Sequence, residues 1–135
     1  MKYQVTSLLL FISFFTCSAQ ETVSELSQAL MGTWRWTKTE IVDRGGGGIG
    51  IPEGQNEIVI KNRKEIQFIN EDSTWVEKYS INLNAYGSDI QCSFHSNSLS
   101  GRIRLINENL FIIGNLGGCG VVNYYERVTE KIRFE

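Results

Sequence analysis

The stretch Asp43–Gly54, DRGGGGIGIPEG, holds Gly45, Gly47 and Gly50 in the spacing G-x-G-x-x-G. In a dinucleotide site such glycines follow a strand, let the backbone approach a pyrophosphate, and lead into a helix whose free N–H groups face the anion. Here Ile51-Pro52-Glu53-Gly54 follows, which is no start for a long crossover helix, so the match reflects glycine abundance and the segment reads as a connection between strands. His95 is the one histidine of the chain. Without a second histidine or a cysteine cluster the usual zinc sites cannot be assembled, and a Ser-His-Asp site has no G-x-S-x-G elbow to start from. Carboxylates are numerous, Glu57, Glu77 and Glu126 among them, but a solvated face is their ordinary place. The expectation is therefore no catalytic residue, no metal ligand, no cofactor and no enzyme.

The aromatic residues carry more of the reading. Trp34 and Trp36 alternate with Arg35 and Thr37, and Trp75, Glu77, Tyr79 and Ile81 share one parity further on. If these faces point inward, Trp36, Phe68, Trp75, Tyr79 and Phe94 line an apolar cup, with Lys38 on the Trp34–Trp36 face near its entrance. Such a cup suits a small hydrophobic ligand with one polar end. The same alternation also fits aromatics that fill a small barrel and leave no cavity, and both alternatives stand.

These positions require strands, and the period-two pattern supplies them. Runs fall at Thr33–Val42, Glu57–Lys61, Glu65–Asn70, Thr74–Leu83, Asp89–His95, Gly101–Ile106, Leu110–Ile113 and Val121–Val128, separated by turn residues such as Asn70-Glu71-Asp72-Ser73 and Asn107-Glu108-Asn109. Ahead of them Thr22–Met31 places Val23, Leu26 and Leu30 on one helical face, behind the capping-box spacing of Thr22-Val23-Ser24-Glu25. Short antiparallel strands joined in sequence make a meander. Closing it into a barrel of about eight strands removes the open edges that would invite aggregation. The expected fold is an all-β, up-and-down antiparallel barrel with a short N-terminal helix.

The amino end reads as an export signal. Lys2 is followed by the apolar run Leu8-Leu9-Leu10-Phe11-Ile12 and by small residues at Cys17-Ser18-Ala19. The run is shorter than the roughly 20 apolar residues of a membrane span. Residues 1–19 are expected to be removed, leaving 20–135 as one domain in the periplasm or secreted, most simply as a monomer; the alternative is a lipid anchor on Cys17. Thirteen Lys and Arg against fifteen Asp and Glu give a net charge of −2, which argues against nucleic acid. In an oxidising compartment Cys92 and Cys119 either form one disulfide or remain two buried thiols, and spacing alone leaves that open.

Gly32-Thr33-Trp34 at the start of the first strand and Asn123-Tyr124-Tyr125-Glu126-Arg127 in the last resemble the two ends of a lipocalin-like domain, with the nearest likeness to small exported lipocalin-like proteins of Bacteroidetes-type bacteria. The resemblance implies a barrel in which a G-x-W motif opens strand one and an arginine near the end of the last strand packs on the tryptophan. Gly32, Trp34 and Arg127 match those positions. It also implies a small hydrophobic ligand inside. The alternative is a protein-interaction module with a filled core, which presents its glycine-rich loops to a protein partner.

Overall fold

The computed structural model describes residues 19–43, 45–54, 56–86, 89–116 and 120–129. Residues 1–18, on which the expected export signal and Cys17 fall, and residue Cys119 lie outside these. One helix, α1 (Ala19–Ala29), precedes ten strand segments: β1 (Gly32–Val42), β2 (Gly48–Gly50), β3 (Glu57–Ile60), β4 (Glu65–Ile69), β5 (Thr74–Lys78), β6 (Ser80–Tyr86), β7 (Asp89–His95), β8 (Ser100–Asn107), β9 (Leu110–Gly114) and β10 (Gly120–Arg127). Every ladder is antiparallel.

The strands form one sheet in the order β5-β4-β3-β1-β10-β9-β8-β7-β6, with β2 added to β1. The two ends of that order are consecutive in the chain and separated only by Tyr79. Thr74–Tyr86 is thus one bent stave, whose first half pairs with β4 and whose second half pairs with β7. This bend closes the sheet nearly into a barrel. Tyr79 fixes it by bonding backward: its N–H donates to Lys64 O at 2.9 Å and its hydroxyl to Asn62 O at 2.5 Å.

Register makes the interior. Cross-strand partners share a face, so Trp34 opposite Ile58, Ile58 opposite Phe68, Cys92 opposite Ile103, Leu105 opposite Phe111 and Phe111 opposite Tyr125 all point inward. Trp34, Ile66, Phe111 and Ile113 are fully buried there. The rings meet one another. Trp34 meets Phe111 edge-on at 4.7 Å, Phe111 stacks on Tyr125 at 5.0 Å, Tyr79 on Phe94 at 4.8 Å and Phe68 on Trp75 at 5.2 Å. Burial of large apolar side chains, about 1.5–3 kcal/mol each, is the main force holding the barrel.

At 11 residues α1 is too short to be stable alone in water. It packs beside β6 and buries Leu30, with Leu26 partly buried against the core. Its carboxyl end shows why Gly32, Trp34 and Arg127 belong together. A helix leaves its last carbonyls without partners, and its last turn here holds no basic residue. Arg127 reaches over from the far end of the chain instead. Nη2 donates to Ala29 O at 2.7 Å, Nη1 to Met31 O at 2.7 Å and Nε to Glu108 O at 2.8 Å. The indole Nε1 of Trp34 donates to Leu30 O at 2.8 Å, and the guanidinium lies 4.2 Å over the Trp34 ring. Gly32 has φ +120, and a Cβ there would come within 2.8 Å of Arg127 Nη1. Glycine both turns the chain out of the helix and leaves the guanidinium its path. Helix, first strand and last strand are locked at this end.

Candidate functional site

The other end of the barrel is built differently. Above Trp36 the β1–β10 register shifts, so Trp36 pairs with Tyr125 but Lys38 pairs with Tyr124. The bulge at Thr37 reverses the parity of β1. Lys38 therefore turns to the outer face, where Nζ lies 4.2 Å over the Tyr124 ring, and Thr39 turns inward in its place. The expectation that Trp34, Trp36 and Lys38 share a face fails at this bulge. Inside, Trp36 Nε1 donates to Lys38 O at 3.2 Å and to Thr39 Oγ1 at 3.1 Å, and Thr39 Oγ1 donates to Asn123 Oδ1 at 2.7 Å. Tyr124 donates its hydroxyl to Glu40 at 3.2 Å. Burial, then the bond to Glu40 and its negative charge, push the phenol of Tyr124 up.

On β4 and β5, Phe68, Trp75 and Glu77 share the inner face. Phe68 and Trp75 are stacked, and Trp75 Nε1 donates to Glu77 Oε2 at 2.9 Å. Glu77 also accepts the Ser98 N–H at 2.8 Å and the Ser98 hydroxyl, which ties β5 to the turn between β7 and β8. Desolvation pushes its carboxyl up, but the bonds from Ser98, Trp75 and Ser96 outweigh this and hold it below the ordinary value of 4.5. Glu77 is a structural latch whose acceptor positions are already taken.

Of the other expected lining residues, Tyr79 and Phe94 are both buried and stacked on each other deeper in the barrel, so the five aromatics form two stacked pairs and one half-buried ring, Trp36. Cys92 is a half-buried free thiol, inward between Leu83 and Ile103, and burial pushes it up. Its expected disulfide partner Cys119 lies outside the described residues. Grooves of about 610, 450 and 430 Å³ occur on the molecule. The first is framed by Asn82, Ser93, His95 and Arg102 on the outer face of β6–β8, the second by Leu26, Cys92 and Leu105 beside α1, and the third by the hairpin of β1 and β2. Of the five expected aromatics Phe94 borders the first, and Trp36, Phe68, Trp75 and Tyr79 line none of the three. Among the described residues no group of three or more His, Cys, Asp or Glu could hold a metal ion, and no helix is long and apolar enough to cross a membrane.

The hairpin is the feature that sequence reasoning missed. The glycine-rich segment is no idle connection. It turns at Asp43 O, which accepts the Gly46 N–H at 3.2 Å, and returns as β2 with Gly48 opposite Ile41, Ile49 opposite Glu40 and Gly50 opposite Thr39. Glycine at 47 is required, since a Cβ there would stand 2.2 Å from Ile41 O. The hairpin leaves Ile49 and Ile51 exposed at 68% and 79%, beside the exposed Ile41, Val42 and Val121, and Ile41 faces Val121 directly across the β1–β10 ladder. By register Ile49 shares the face of Glu40, whereas Ile41 and Val121 share the opposite face, so the hairpin end of the sheet exposes apolar side chains on both faces. Ile49 and Ile51 alternating with glycine were the available signal, a period of two inside a run too rich in glycine to look like a strand.

No family model, curated protein or solved structure matches the chain. What it can do is argued from its own surfaces.

Proposed function

We propose that this protein is an exported, lipocalin-like barrel that works as a protein-interaction module, with a filled core and with the β1–β2 hairpin as its docking surface. The observation that carries this reading is the hairpin's return segment, which holds Ile49 and Ile51 in water at 68% and 79% exposure, because large apolar side chains left exposed close together mark interaction sites. Interior rings packed on one another at 4.7–5.2 Å agree with it, since rings in mutual contact leave little room for a guest. The Arg127–Trp34 contact supports the lipocalin-like kinship, and the signal-like amino end supports export. The test is capture of partners from an envelope fraction by the protein and by a version with Gly45–Gly50 replaced. A partner recovered only by the intact hairpin supports the reading, and equal recovery with both removes the hairpin from it.

A small apolar ligand is the second reading. It is favoured by the half-buried state of Trp36 and Trp75, which pack against the core but leave part of their indole surface uncovered. In that reading the guest sits over these two rings.

A further inference from the structure

The hairpin offers main-chain groups as well as apolar side chains. β2 is bonded to β1 along one edge, and among the described residues it pairs with no other strand. β4 does not reach the second edge, because the β3–β4 ladder ends where Glu57 faces Ile69, below the level of β2. Successive residues of a strand aim their N–H and C=O groups to alternate sides, so that second edge presents donors and acceptors to water. All three residues of β2 are exposed, and with glycine at 48 and 50 another backbone can approach without side chains in the way.

We infer, building on the docking role proposed above, that the open edge of β2 takes up an extended peptide strand from a partner protein, one with β-branched residues toward the hairpin and basic residues at its flanks. Strand addition of this kind draws affinity from main-chain hydrogen bonds and selectivity from alternate side chains. The apolar preference follows from the exposed Ile49 and Ile51. The basic flanks follow from charge: residues 40–54 carry Glu40, Asp43 and Glu53 against the single Arg44. The same charges disfavour a second copy of this chain on the edge, since self-pairing sets two acidic rims together. Three residues form few ladder bonds, so a free peptide binds weakly.

The test uses the full exported chain and a fluorescein-labelled heptapeptide, Lys-Val-Thr-Val-Thr-Val-Lys, read by anisotropy. Saturable binding is expected, weakened at least about tenfold by Ile49→Asp and by exchange of both peptide lysines for glutamate. N-methylation of the amides along one edge of the peptide should abolish binding, while N-methylation along the other leaves it intact. Ile49 is exposed, so Ile49→Asp should keep the parent tryptophan emission, which controls for folding. No binding at about 1 mM peptide would overturn the inference. If N-methylation of either edge has no effect while Ile49→Asp still weakens binding, strand addition is overturned and the docking role survives. Binding indifferent to both Ile49→Asp and Ile51→Asp would overturn the inference and the docking role together. Equal binding of the glutamate-flanked peptide overturns the basic partner, and a dimer in sedimentation that Ile49→Asp dissolves overturns it in favour of a second copy.

Discussion

Replacing Arg127 by alanine removes the tie between the first strand, the last strand and the end of α1. Three hydrogen bonds from the guanidinium to carbonyls are lost, at Ala29, Met31 and Glu108. Bonds from a charged donor are worth about 1.5–3 kcal/mol when buried, but this side chain is only half-buried and water can replace part of them, so about 1 kcal/mol each is the appropriate figure. The stacking over Trp34 adds about 1 kcal/mol. Arg127→Ala should therefore destabilise by about 4 kcal/mol, or roughly 15 °C in Tm for a domain of this size. Arg127→Lys keeps the charge but loses the planar fork and at least two of the bonds, so it should fall about halfway. Urea unfolding followed by tryptophan emission measures both. A loss under about 1 kcal/mol for Arg127→Ala would refute the reasoning, because water would then cap the helix as well as the guanidinium does.

Further outcomes follow from the same geometry. Gly32→Ala must adopt a φ that side chains disfavour and crowd Arg127, and should cost about 2–3 kcal/mol in the same unfolding assay. Phe111→Ala opens a hole between Trp34 and Tyr125 and should cost about 3–5 kcal/mol, with a red shift of the Trp34 emission. The carboxyl of Glu77 is held below its unfolded value, so the stability it contributes is present above pH 4.5 and disappears as pH falls through the lowered value. Glu77→Gln should accordingly flatten the acid limb of stability against pH, measured by urea midpoints between neutral pH and about pH 3.

Much of the barrel was legible because alternation and burial are the same fact in a strand. Trp34, Phe68, Trp75, Tyr79 and Phe94 announced the inner face, and the turn residues set the spacing. The closing contact was expected only through the resemblance to lipocalin-like domains, which sets a late arginine on the tryptophan of a G-x-W motif. The turned-out Lys38 was not, because a bulge is one added residue in a ladder and leaves no mark in the alternation before it. The Glu77 latch was hidden for another reason: its donors Trp75 and Ser98 come from two elements that only the closed sheet brings together. β2 was hidden by composition, as glycine argues against a strand except where another backbone packs close, which is the case at Gly47 against Ile41.

The claim on which the functional reading rests is that the rings of the interior pack against each other and the working surface is the rim hairpin. Titration of the protein with a panel of fatty acids and retinoids, followed by tryptophan emission, tests it most directly. A flat response across the panel is predicted. Saturable quenching that disappears in Trp36→Leu or Trp75→Leu would contradict the filled barrel and make the small-ligand reading the correct one.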